Sequence, residues 1–172
     1  MAFQYKLYKC TGANCSTETD TSKSFTFLSS DIHGAAASYP VPVPATGDPD
    51  NNSYETFLKL KCTTPPDNYV ENIKVWGPST NPGTGVMVWW GITDTDPVGG
   101  PVNTTSPYAG TRQDLNNYQQ GNALVWTTPQ ASDRIVSAND YSDSLVMQLR
   151  VASSGSSGNM EDQTYSLSWD ES

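Results

Sequence analysis

Leu145-Val146-Met147-Gln148-Leu149-Arg150-Val151 is the stretch that decides the fold class. Successive side chains of an extended chain point to opposite faces, so Leu145, Met147, Leu149 and Val151 share one face while Gln148 and Arg150 take the other. A helix would scatter these residues around its axis. The same period of two recurs on either side. Upstream, Val86, Val88, Trp90 and Ile92 line one face of a run whose other face carries Met87 and Trp89. Ile73 and Val75 alternate with Asn72, Lys74 and Trp76, and Leu58, Leu60 and Cys62 alternate with Lys59 and Lys61. Near the start, Phe3, Tyr5 and Leu7 oppose Gln4, Lys6 and Tyr8, and Ser24-Phe25-Thr26-Phe27 reads as a second strand. Downstream, Tyr165, Leu167 and Trp169 alternate with Thr164, Ser166 and Ser168. Runs of this kind, spaced by turns, mark a sandwich or small barrel.

Composition agrees. The chain has 172 residues, of which 16% are charged and 35% hydrophobic, both low for a globular protein. Ser, Thr, Asn, Gly and Pro fill the difference, and these residues favour turns and solvated strand faces over helix surfaces. The turn chemistry sits where the alternation stops, in Thr63-Thr64-Pro65-Pro66-Asp67-Asn68, Gly77-Pro78-Ser79-Thr80-Asn81-Pro82-Gly83 and Asp96-Pro97-Val98-Gly99-Gly100-Pro101. Ser153-Ser154-Gly155-Ser156-Ser157-Gly158-Asn159 lies between two strand runs and reads as a hairpin loop. Tyr39-Pro40-Val41-Pro42-Val43-Pro44 lacks three backbone donors, which predicts an extended segment or edge strand. Asp114 to Gly121 reads as a weak helical turn, and Leu124-Val125-Trp126-Thr127-Thr128 as a further strand. The expectation is an all-β antiparallel β-sandwich of jelly-roll-like topology with about 8 strands. It forms one domain over residues 1–172.

Function classes are narrowed by what the residues lack. A net charge of −9, with nine Lys and Arg spread along the chain, leaves no cationic stripe for a phosphate backbone. It also disfavours anionic membranes, and no apolar run is long enough to span a bilayer. The start, Met1-Ala2-Phe3-Gln4-Tyr5, has no basic stretch followed by an apolar one, which predicts no secretory signal. His33 is the single histidine and no Gly-x-Ser-x-Gly elbow is present, so a hydrolase triad has no base and no nucleophile. No phosphate-binding glycine pattern occurs either. The chain is read as having no catalytic, cofactor-binding or metal-ligating residues and as not being an enzyme.

Three features remain open at this stage. Cys10, Cys15 and Cys62 make an odd count, which argues against a complete disulfide framework. Free thiols are the default, with a Cys10–Cys15 bridge across Thr11-Gly12-Ala13-Asn14 as the lesser option. Zinc lacks a fourth ligand. The oxygen-rich Asp48-Pro49-Asp50-Asn51-Asn52 and Asp94-Thr95-Asp96 stretches suit calcium, yet neither completes a calcium loop, and Asx residues are common in turns without metal. Trp89 and Trp90 are adjacent on one strand and must face opposite ways, so one is core and the other exposed or covered by a partner.

Two groups of stretches resemble small β-sandwich proteins encoded among the virion structural genes of tailed bacterial viruses. One is Asn72-Ile73-Lys74-Val75-Trp76-Gly77 with Gly83-Thr84-Gly85-Val86 and Pro101-Val102-Asn103-Thr104-Thr105-Ser106. The other is Leu145-Val146-Met147-Gln148-Leu149-Arg150-Val151-Ala152-Ser153 with Tyr165-Ser166-Leu167-Ser168-Trp169-Asp170-Glu171. The segment from Cys10 to Cys15 falls outside the pattern. The resemblance implies a capsid decoration, cement or fibre-associated protein, assembled into virions in the host cytoplasm. Its partners would be the major capsid protein or other virion proteins and further copies of itself, as a dimer or trimer, with no direct contact to nucleic acid or membrane. In that setting the strand over residues 1–8 is expected to add to a neighbour's sheet edge, with Trp89 or Tyr8 as anchor. The alternative is a carbohydrate-binding or adhesion module with two or three exposed Trp or Tyr side chains.

Overall fold

A computed structural model describes residues 2–33, 38–78, 82–97, 99–104, 113–114, 120–155 and 162–172. The decisive run is strand β9 (Ser144–Val151), which lies inside a large antiparallel sheet. It pairs along its whole length with β6 (Val86–Thr93), from Val86 opposite Val151 to Thr93 opposite Ser144. On its other side it meets β4 (Thr56–Thr64) and, further along, β3 (Asn51–Asn52). β1 (Gln4–Thr11) follows β4, β2 (Thr17–Asp20) closes that edge, and β7 (Gln113–Asp114) lies beyond β6. The smaller sheet has β5 (Val70–Trp76) between β10 (Ser166–Glu171) and β8 (Leu124–Val125). The architecture is an all-β antiparallel sandwich, divided unequally among the described residues into seven strands and three.

The core lies between the sheets, built from the residues that period-two reading placed inward. Leu58, Leu60, Cys62, Val88, Trp90, Leu145, Met147 and Leu149 from the large sheet meet Val70, Ile73 and Val75 from the small one. Val70 and Ile73 are three apart, and strict alternation would send them to opposite faces. A bulge resolves this: Asn72 adopts a left-handed φ of 52°, and the pairing with β10 slips between Ser168 and Asp170. Asn tolerates that conformation better than branched residues do, and its side-chain amide donates to the Asp170 carboxylate at 2.8 Å.

Several expectations are corrected. Ser24-Phe25-Thr26-Phe27 is extended but joins no ladder, and the second strand is the polar Thr17–Asp20. The alternation there reflects packing, since Phe25 and Phe27 contact the core at its rim with centroids 5.6 Å apart. β9 and β10 belong to different sheets and so form no hairpin, and residues 156–159 of the expected hairpin loop lie outside the described residues. β1 pairs with β4 from Gln4 to Cys10 but with β2 only from Tyr8 to Thr11, so of the edge expected to add to a neighbour only the Tyr8 end is closed by β2. Residues 39–44 join no ladder, with a bend at Tyr39, and Val41 and Val43 pack against the core. In the 114–121 stretch the structure gives a strand at Asp114 and a 3₁₀ turn at Gln120–Asn122, while 115–119 lie outside the described residues.

Candidate functional site

The outward face of the large sheet is not uniform. Strand register places Lys6, Tyr8 and Cys10 of β1 beside Lys61, Lys59 and Phe57 of β4, and Val146, Gln148 and Arg150 of β9 beyond them. One part of this face is covered by the chain's own loops. Cys10, Phe57 and Val146 are fully buried there as a second small core. Gln148, also buried, donates its amide to the carbonyls of Ser53, Val102 and Thr104 at 3.0, 3.4 and 2.7 Å. Glu55 completes the clasp: its backbone N–H donates to the Val102 carbonyl and its carboxylate accepts from the Val102 N–H. Buried polar groups of this kind hold a strap in one place because each broken bond strands a desolvated partner.

The strap is also held by the segment that the sequence resemblance left out. Cys10 and Cys15 form a disulfide, with Cα atoms 4.9 Å apart, which corrects the expectation of free thiols. Cys62 is free and buried, and burial pushes its thiol pKa up. The loop closed by the disulfide sends the Asn14 N–H to the Pro97 carbonyl at 2.7 Å.

The rest of the face is partly exposed, with Lys6 exposed and Tyr8, Lys61 and Tyr141 half-buried, and its tyrosines and charges are in contact with one another. Lys61 lies 5.5 Å from the Tyr8 ring centroid and 5.0 Å from that of Tyr141. Hydrogen bonding to the Tyr141 hydroxyl is the main cause that holds the Lys61 pKa above its ordinary value. The Tyr141 hydroxyl in turn donates to Glu18 at 3.2 Å. Lys6 pairs with Asp20 at 2.7 Å, which raises the lysine and lowers the carboxyl. Beside this array opens a cleft of about 250 Å³, lined by Glu18, Lys59, Asp94, Asp96, Tyr141 and Asp143. Lys59 crosses it to Asp96 at 2.7 Å. Ser142, also at the cleft, has its hydroxyl committed to the Asp143 carbonyl and to the Leu60 N–H.

The other residues singled out from sequence are dispersed. Asp50 meets Arg150 and Asp96 meets Lys59, so each oxygen-rich loop has an acid engaged by a cation. His33 is exposed. Trp90 is the core member of its pair, while Trp89 is half-buried with the Arg150 guanidinium 5.9 Å from its ring. Trp76 is half-buried at the end of β5. Among the described residues, the exposed large hydrophobic side chains are Tyr39, Val125 and Val136, so no pair of tryptophans forms a platform there.

Sequence reasoning missed Tyr141 and the covered part of the outer face. A signal for the latter existed: Phe57-Leu58 and Leu145-Val146-Met147 place apolar residues on both parities, as strands buried on both faces do. Comparison with family models, curated proteins and solved structures gave no match.

Proposed function

We propose that this domain is a virion structural protein, a capsid decoration or cement protein that docks on the capsid lattice and self-associates, and that it has no catalytic role. The observation that carries the docking reading is the open part of the large sheet's outer face. There Tyr8, Lys61 and Tyr141, each half-buried, stand together, with Lys6–Asp20 and Glu18 around them. Tyrosines backed by rigid strands supply contact area at low entropic cost, and aromatic side chains dominate interface energies. The sheet edges suit docking less well. β2 carries Glu18 and Asp20, and β10 carries Asp170 and Glu171, and charges on edge strands oppose strand addition.

The placement in a virion rests on the sequence resemblance, and the disulfide is compatible with it, since virion surfaces are among the settings where disulfides persist. Mass spectrometry of purified particles tests the reading. This chain is expected at a copy number that is a simple fraction or multiple of the capsid protein. Its absence from particles overturns the proposal, and selective glycan binding by the isolated chain would establish the adhesion reading instead.

A further inference from the structure

The loop between β1 and β2 stores backbone strain at a pair of sulfurs. Gly12, Asn14 and Cys15 all have left-handed φ, at 74°, 52° and 55°. That conformation is unfavourable for Cys15, less so for Asn14, and persists where the surroundings impose it. The imposing features are the Cys10–Cys15 bond and the Asn14–Pro97 hydrogen bond. Cys15 is half-buried rather than sealed in, unlike Cys10. Strained, accessible disulfides are the ones that thiol reductants open.

Glu18 adds a third ligand atom. The sulfurs of Cys10 and Cys15 and a Glu18 carboxylate oxygen all lie within 4.8 Å of one another. The spacing Cys-x4-Cys-x2-Glu is compact enough for one ion, and two thiolates with a carboxylate form a donor set that zinc accepts. The Tyr141 hydroxyl donates to Glu18 and would fix that carboxylate's orientation, as partners behind metal ligands do. Glu18 and Tyr141 both line the cleft beside the two sulfurs' loop, and Glu18 is exposed to solvent.

We propose that Cys10, Cys15 and Glu18 form a redox-gated site for a soft divalent cation, a disulfide when oxidised and a three-ligand chelate when reduced. Opening the bond takes two electrons and two protons from a dithiol reductant, which becomes its own disulfide. Binding of the cation then releases the two thiol protons. Rotation of the cysteine side chains must separate the sulfurs to about 3.8 Å, as tetrahedral Zn–S bonds of about 2.3 Å require. The oxidised chain holds no thiolates here and should not bind.

Cobalt(II) titration of the full chain, before and after reduction with a non-chelating phosphine, tests this by absorbance. Thiolate-to-cobalt charge transfer should appear at one equivalent in the reduced chain alone, and zinc should displace it. Cys62→Ser should leave the signal intact. Glu18→Gln, which keeps both cysteines and the disulfide, should weaken affinity about tenfold or more. Absence of the band after reduction, its loss in Cys62→Ser, or unchanged affinity in Glu18→Gln would each overturn the proposal.

Discussion

The two faces of the large sheet follow different rules. The inner face is largely apolar: Leu58, Leu60, Trp90, Met147 and Leu149 meet the small sheet, with buried Thr56 and Lys9 on the same strand parity. The outer face is split: Cys10, Phe57, Val146 and Gln148 are buried, while Lys6 is exposed and Tyr8 and Lys61 are half-buried. Burial of the inner face follows from the hydrophobic effect and needs no particular partner. Burial of the covered outer part depends on directed hydrogen bonds at two side chains, the Gln148 amide as donor and the Glu55 carboxylate as acceptor. The first is tolerant of chemistry and intolerant of volume change; the second is the reverse.

The largest expected effect breaks the inner face. Trp90→Ala removes the largest fully buried side chain and should cost about 3–5 kcal/mol, read as a lowered urea midpoint. The next largest effect breaks the covered outer part. Gln148→Leu preserves bulk but takes the amide donor from the carbonyls of Ser53 and Thr104, while Val102 keeps the Glu55 N–H, at about 1–3 kcal/mol. Hydrogen exchange should then rise selectively at Val102 and Glu55, whose amides meet across the strap. Uniform exchange throughout the chain would contradict the distinction between the faces.

A smaller effect sharpens the comparison through pH. Asp31 accepts the Gly12 N–H at 2.8 Å, at the loop that carries the disulfide. Burial is the main cause that raises its carboxyl pKa above 3.8, partly offset by the Gly12 hydrogen bond and by Lys9. A raised folded pKa means the native state favours the protonated form. This group's contribution is therefore complete below 3.8 and is lost as pH rises through the folded value. Asp20 has the opposite sign, because Lys6 lowers its pKa. The difference in urea midpoint between wild type and Asp31→Asn, followed upward from pH 3.8, isolates the Asp31 contribution. The wild type should lose stability relative to the variant over that interval. On the open part of the face, Tyr141→Phe should change stability by about 0.5 kcal/mol or less.

The inner face was legible because a period of two needs only apolar residues in register, and Leu145 to Val151 supplies them without interruption. The strap was not, because Gln148 reads as an ordinary outward polar residue until the loop that it holds is in place. Phe25 and Phe27 misled for a related reason: alternation reports which side chains are buried, and a rim segment can bury two phenylalanines without pairing its backbone. The β5 bulge was hidden in Asn72, whose left-handed backbone shifts Val70 into the core. Tyr141 follows no alternating run, and only the fold brings it to Lys61 and Glu18.

The docking role of the open part of the face is the central claim, and co-sedimentation with purified virus particles tests it most directly. The variant Tyr8→Ala/Lys61→Ala/Tyr141→Ala is compared with wild type and with Lys74→Ala/Ser168→Ala, an exposed pair on the small sheet. Particle affinity should fall at least about tenfold in the first variant and stay at the wild-type level in the second. Equal binding by all three, or a loss confined to the small-sheet variant, would contradict the account.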